Sequence, residues 1–334
     1  MIKLKRKILS RIFSYFTKAI IVYLIIMSTT YGWSKEEMSL SQSDIKNNLK
    51  SVVYDLSENI GTRNYSNYKN LDKAAAYIIN KFNSLGYVIE IMEYEINGQI
   101  FKNIIAQNPG QSDSDEIYII GAHYDSCFNP GADDNASGVA GLIELARLLK
   151  EEKLSKKIRF VAFVNEEPPY FMTDNMGSRV YTKELKDKKE NIKAAIILEM
   201  IGYYSDEKNS QRYPPLIGPF FPNKGNYIAV VGNINSRKLL KKVVRNFKSS
   251  SEFPVESIVV PGFISGFNFS DHWSFWEEAY PAIMITDTAF HRNKNYHKNS
   301  DLPDTLDYSR MSEVVLGLKG SIIELVNENK GKKT

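Results

Sequence analysis

The chain has 334 residues, 43% hydrophobic and 25% charged, a composition that can bury a substantial core and that excludes disorder as the default. The formal net charge of +4 gathers at the start, where Lys3, Lys5, Arg6, Lys7, Arg11 and Lys18 meet no acidic residue, leaving 37 basic against 39 acidic residues beyond position 34. A near-neutral folded part lacks the basic footprint of a nucleic-acid binder, so no nucleic-acid partner is expected.

The basic stretch leads into the apolar run Ala19–Met27, which continues weakly to Trp33. That run is shorter than the roughly 20 apolar residues a spanning helix needs, and Ser28, Thr29 and Thr30 interrupt it. Residues 1–34 therefore read as a signal peptide, with a retained N-terminal membrane anchor at residues 19–33 as the alternative. The expected location is outside the cytoplasm, secreted or periplasmic, with membrane association only through this segment. Nothing after it resembles a long Pro/Gly/Ser linker, so residues 40–330 are expected to form one domain.

From Ser41 the spacing Ile45, Leu49, Val52, Val53, Leu56 predicts a helix, and Leu71, Ala74, Ala75, Ile78, Ile79, Phe82 predicts a second that stops at Gly86. Residues 88–94 and 101–106 read as strands around the turn Asn97-Gly98. A strand over residues 116–122 ends at His123, and a glycine-rich loop and an apolar helix (Val139, Leu142, Ile143, Ala146, Leu149) follow. Runs at 158–164 and 194–198 end at Glu166-Glu167 and at Glu199. Their near-continuous apolar character predicts strands covered on both faces. A strand at 227–232, a basic amphipathic helix at 236–247, apolar runs at 257–260 and 281–286, and a closing helix through Met311 and Leu325 complete the chain. The alternation predicts an α/β fold, a three-layer αβα sandwich around a mixed, largely parallel central sheet.

Functional groups in such sheets collect beyond the carboxyl ends of the strands. Three strands here end in one imidazole and four carboxylates: His123 with Asp125, Glu166 with Glu167, and Glu199. His123 and Asp125 are two apart, so one can ligate a metal while the other orients it, the carboxylate fixing the ring tautomer. The loop Gly131-Ala132-Asp133-Asp134-Asn135-Ala136-Ser137-Gly138 holds more acid than a helix cap needs, and a carboxylate there can bridge two cations. Adjacent Glu166 and Glu167 point in different directions, so one can bind metal while its neighbour faces the metal-bound water. Cys127, the single cysteine, excludes an intramolecular disulfide. It reads as a packing residue near the site rather than a nucleophile, with inhibitory or adventitious metal ligation as the lesser alternative.

Together with Leu198-Glu199-Met200-Ile201-Gly202-Tyr203, Ser270-Asp271-His272 and the late His297, these motifs resemble, in order over residues 60–325, the zinc peptidase family of bacterial leucyl aminopeptidases, glutamate carboxypeptidase and glutaminyl cyclases. The resemblance implies a zinc-exopeptidase fold and two Zn2+ ions per chain, one on Glu167 and His297, the other on His123 and Glu199, with Asp134 shared. It also implies a cis peptide at Asp134-Asn135. Glu199 departs from the Asp that aminopeptidases of the family often carry, which affects geometry rather than chemistry. Zinc lowers the pKa of bound water to about 7, and ions about 3.5 to 4 Å apart polarise a carbonyl together. Glu166 is then the expected catalytic base and Asp125 the residue that orients His123.

Of the other histidines, His291 is expected to be exposed and His272 structural. Tyr203, Phe267, Phe269 and Trp273 are candidates for an apolar pocket wall, and the loop 168–176, with Tyr170, Phe171 and Asp174, for an overhang above the substrate. The expected substrate is a peptide and the leading activity that of an aminopeptidase. Alternatives are a carboxypeptidase or dipeptidase reading the substrate carboxylate with Arg179 or Arg292, a one-zinc glutaminyl cyclase, and a non-catalytic binding homologue.

Overall fold

In the computed structural model, which describes residues 42–214 and 217–328, the first hairpin closes at the predicted place. Strands β1 (Ile89–Ile96) and β2 (Gln99–Asn108) pair antiparallel across Asn97 and Gly98, whose φ angles of 51° and 80° are the left-handed values a two-residue turn requires. All elements named here belong to the unit Lys46–Thr334. The leader at residues 1–34 lies outside the described residues, and among those no helix is long and apolar enough to cross a membrane.

Helices α1 (residues 42–54, of which 46–54 belong to this unit, prolonged by a wider turn Asp55–Ile60) and α2 (Tyr68–Ser84) precede the hairpin. There follow β3 (Ile117–His123), α3 (Gly138–Leu149), β4 (Lys157–Phe163), α4 (Gly177–Asp187) and β5 (Ile192–Glu199). The last part holds β6 (Ile228–Asn233), α5 (Arg237–Ser250), β7 (Val255–Val260), α6 (His272–Glu277), β8 (Ala282–Thr286) and α7 (Tyr308–Asn327). The eight strands form one mixed sheet in the order β1-β2-β4-β3-β5-β8-β6-β7. Its centre, β4-β3-β5-β8, is parallel, and the antiparallel pairings β1/β2, β2/β4 and β6/β8 flank it.

Helices α3, α5 and α7 pack together on one face, with α2 against α3, while α4 and α6 pack together on the other. This is the predicted three-layer sandwich. It explains the unbroken apolar strands: Ile119, Val161, Phe163 and Ile197 meet Tyr181, Leu185 and Phe275 of the α4/α6 layer, each such side chain contributing about 1.5–3 kcal/mol by burial. Helices α4 and α6 were not predicted. The first has only Val180, Tyr181 and Leu185 as large apolar residues in eleven positions, and the second is six residues long, too short for a helical period to show.

Candidate active site

Because β4, β3 and β5 run parallel and in register, their carboxyl ends open onto one edge. His123 and Glu199 are the last residues of β3 and β5, and Val164 and Asn165 carry the chain from β4 to Glu166 and Glu167. Asp134 arrives from the loop before α3 and His297 from the segment before α7. All except His297 are buried.

The polar atoms converge. His123 Nε2 lies 3.4 Å from Asp134 Oδ1, 3.3 Å from Glu199 Oε2 and 3.8 Å from Glu166 Oε2. His297 Nε2 lies 3.1 Å from Asp134 Oδ2 and 3.3 Å from Glu167 Oε2. Asp134 thus turns one oxygen to each histidine. Two nitrogen or oxygen ligands of one tetrahedral zinc, each about 2.0–2.1 Å from the ion, stand about 3.3 Å apart, close to these separations. Neither ring nitrogen of His123 has a hydrogen-bond partner, nor has Oε1 of Glu167, although buried polar groups are normally paired. A donor set left open in this way fits cations between its members.

Asp125 organises this edge from below. Its Oδ1 accepts the backbone N–H of Glu166 at 3.1 Å and its Oδ2 that of Glu167 at 3.0 Å, while Oδ1 also stands 3.4 Å from His123 Nδ1. It is therefore a positioning residue for all three. The loop of Asp134 is held in the same manner. Asp301 accepts the N–H groups of Asp133 and Asp134 at 2.9 and 3.1 Å, and Asn135, after the cis Asp134-Asn135 peptide, donates to the Leu198 carbonyl and accepts from Gly138 and Met200. Arg63, wholly buried, donates to the carbonyls of Tyr124 and Gly131 on either side of the preceding loop, residues 125–130. Ser270 donates to Glu199 Oε2 at 2.7 Å. The roles of Arg63, Ser270 and Asp301 were not read from the sequence, although Ser270 stood in a motif and Asp301 four residues after His297.

The electrostatics are those of crowded acids around two rings. Burial lowers the His123 pKa, but Glu166 and Glu199 outweigh it and hold the ring well above its ordinary value. Against the upward pull of burial, His123 and His297 hold Asp134 below the usual carboxylate range. Burial pushes Glu166 well up, Glu167 to about 7, and Asp271 and Asp301 each to about 7. In the absence of cations, burial thus favours the protonated form of these carboxylates.

The profile of peptidase family M28 matches residues 103–318. The chain belongs to this family. The uncharacterized protein YfbL of Escherichia coli K12 is 41% identical over 308 residues, covering 89% of this chain and 94% of that one. The chain also superposes on BSAP, a zinc aminopeptidase from Bacillus subtilis, with a TM-score of 0.70 at 17% identity over 86% of this chain and 96% of that one. A glutaminyl cyclase of Fimbriiglobus ruber gives 0.60 at 19% identity over 83% and 94%. At those identities the last two likenesses carry the fold, which is that of the predicted family.

Beside the M28 cluster lies a cavity of about 290 Å3 that reaches Asp134, Glu166, Glu167, Glu199 and His297. Its floor is the sheet face that α6 covers at Ala282 and leaves open further along, where Thr286 pairs with Ala229 and Ala229 with Glu256, and Met284 with Val231 and Val231 with Ile258. Phe267 and Phe269 line it as expected; Tyr203 and Trp273 do not, the Trp273 ring standing under the Arg179 guanidinium instead. Pro168 and Phe171 of the loop reach the cavity, whereas Tyr170 packs on Tyr65 and Phe101, and Asp174 pairs with Lys183 at the surface. His291 is half-buried on the cavity wall rather than exposed. His272 is fully buried, donates from Nε2 to the Phe267 carbonyl at 2.8 Å and packs on Trp276, the structural place expected.

Proposed function

We propose that the chain is a zinc-dependent aminopeptidase that holds two Zn2+ ions, with Asp134 between them, His123 and Glu199 on one, Glu167 and His297 on the other, and Glu166 as base. The observation that carries this reading is the Asp134 carboxylate, which presents Oδ1 to His123 and Oδ2 to His297 at 3.4 and 3.1 Å. When bound, zinc supplies a Lewis acid for the scissile carbonyl and an acidified water. Glu166, beside His123 and not needed as a ligand, then takes the water's proton and delivers it to the leaving amine.

The end preference rests on charge. With Asp134, Glu167 and Glu199 taken up by zinc, Glu166 and Glu256 remain as acids lining the cavity and suit a free substrate amine. Arg292, named for reading a substrate carboxylate, is buried and donates to Gln211 and the Tyr227 carbonyl, and Arg179 is paired with Glu278. Arg212 on the cavity wall marks the competing carboxypeptidase reading. Residues 1–34 are proposed as an export leader and residues 40–330 as the peptidase domain. The test is zinc content measured alongside hydrolysis of aminoacyl anilides and of N-acetylated peptides with a free carboxyl end. Hydrolysis of the anilides alone supports the proposal, and two zincs with cleavage only of the blocked peptides overturns it.

A further inference from the structure

Cys127 has no place in the proposed catalytic set, yet the fold brings its side chain into it. One donor atom from each of Cys127, Glu167 and His297 lies within 4.8 Å of the other two. Cys127 is half-buried two residues beyond Asp125, in the loop whose flanks Arg63 holds. Glu167 is 3% exposed, and its Oε1 has no hydrogen-bond partner although the carboxylate lies within this group.

Building on the two-zinc reading, we propose that Cys127 Sγ is a further protein ligand of the cation held by Glu167 and His297. With Asp134 that site then has four protein donors, sulfur, nitrogen and two carboxylate oxygens, the number that closes a tetrahedral zinc. The His123, Glu199 and Asp134 site has three and keeps an open position, as catalytic zinc sites do. The two halves of the centre are therefore unequal: the closed half anchors Asp134, while the open half, on the side of Glu166, receives water and substrate. A thiolate also biases the closed half toward zinc over manganese, which the oxygen and nitrogen donors of the other half do not.

Cobalt tests this directly, because a thiolate bound to Co2+ gives an intense near-ultraviolet charge-transfer band that oxygen and nitrogen ligands lack. Metal-free protein, kept reduced, is titrated with Co2+ while bound cobalt is counted by atomic absorption. The expected result is two equivalents bound, with the band growing over one of them. The Cys127→Ser and Cys127→Ala variants lose the band, bind one equivalent more weakly, and keep the visible bands of the His123 site. Two equivalents without the band in the parent protein, or a band that survives in Cys127→Ser, overturns the assignment and leaves the two-metal reading standing. A parent protein that binds no cobalt overturns both. Thermal melting of each metal-free variant confirms that it is folded.

Discussion

Asp125→Asn is the most informative single change outside the proposed ligands, because one carboxylate serves three groups that must be held together. Its two oxygens accept the N–H groups of Glu166 and Glu167 at 3.1 and 3.0 Å, and Oδ1 faces His123 Nδ1 at 3.4 Å. An asparagine of the same shape has one oxygen. Whichever way it turns, its NH2 group meets a backbone N–H, leaving one buried donor unpaired and one charge-assisted bond lost. At about 1.5–3 kcal/mol for a hydrogen bond to a charged group, the metal-free protein should lose roughly that much stability. If the amide oxygen takes the Oδ2 place on the Glu167 N–H, the NH2 group instead of an oxygen faces His123 Nδ1, and zinc affinity should fall about 10- to 100-fold. Urea denaturation of the metal-free variant reads the first effect, and zinc titration against a chromogenic chelator the second. An unchanged urea midpoint together with unchanged binding of both zincs would refute the positioning role.

Glu166→Gln removes the proposed proton acceptor while keeping shape and the backbone bond to Asp125. It should retain two zincs and lose about 10²- to 10⁴-fold in kcat, or about 3–5 kcal/mol of barrier, and a variant within tenfold of the parent removes Glu166 from the base role. Gly138→Ala places a Cβ 2.2 Å from Asn135 Oδ1 and 2.7 Å from the Leu198 carbonyl oxygen. It should cost about 1–3 kcal/mol by overpacking and displace the amide that staples the Asp134 loop to β5, and a urea midpoint equal to the parent's contradicts this. The stabilisation by zinc should depend on pH. Glu167, Asp271 and Asp301 are pushed by burial to about 7 in the metal-free fold, against about 4 when unfolded. Their contribution is whole below about pH 4 and is lost as pH rises to about 7. The metal-free protein should therefore weaken between pH 5.5 and 7.5 while cations replace the protons in the loaded form, and a zinc-induced rise in Tm that is equal at the two pH values counts against this.

What the sequence disclosed follows the physics of each element. Strands β3, β4 and β5 are buried on both faces, so their apolar runs are unbroken, and the polar residues at their ends stand out by contrast. That contrast made His123, Glu166, Glu167 and Glu199 legible one strand at a time. The supporting residues have no such local mark. Ser270 meets Glu199 across 71 positions of chain, Asp301 meets Asp134 across 167, and the wholly buried Arg63 acts through carbonyl groups that any residue carries. Trp273 was expected on the pocket wall because an aromatic beside a motif suggests a pocket, whereas its ring is engaged by Arg179.

The division has a consequence for how the site works. The groups that sequence makes visible are the ones that repel one another: Glu166 and Glu199 raise each other's neighbourhood charge, and Asp134 adds to the burden on Glu167. The groups that only the fold makes visible are those that hold them in place. Asp301, Asp125 and Asn135 fasten backbone rather than neutralise charge, so the edge is shaped before any cation arrives, while burial favours protons on Glu166 and Glu167. A centre built this way is pre-organised in position and favours protons where cations would sit, the condition under which metal ions exchange for protons with little rearrangement of the chain.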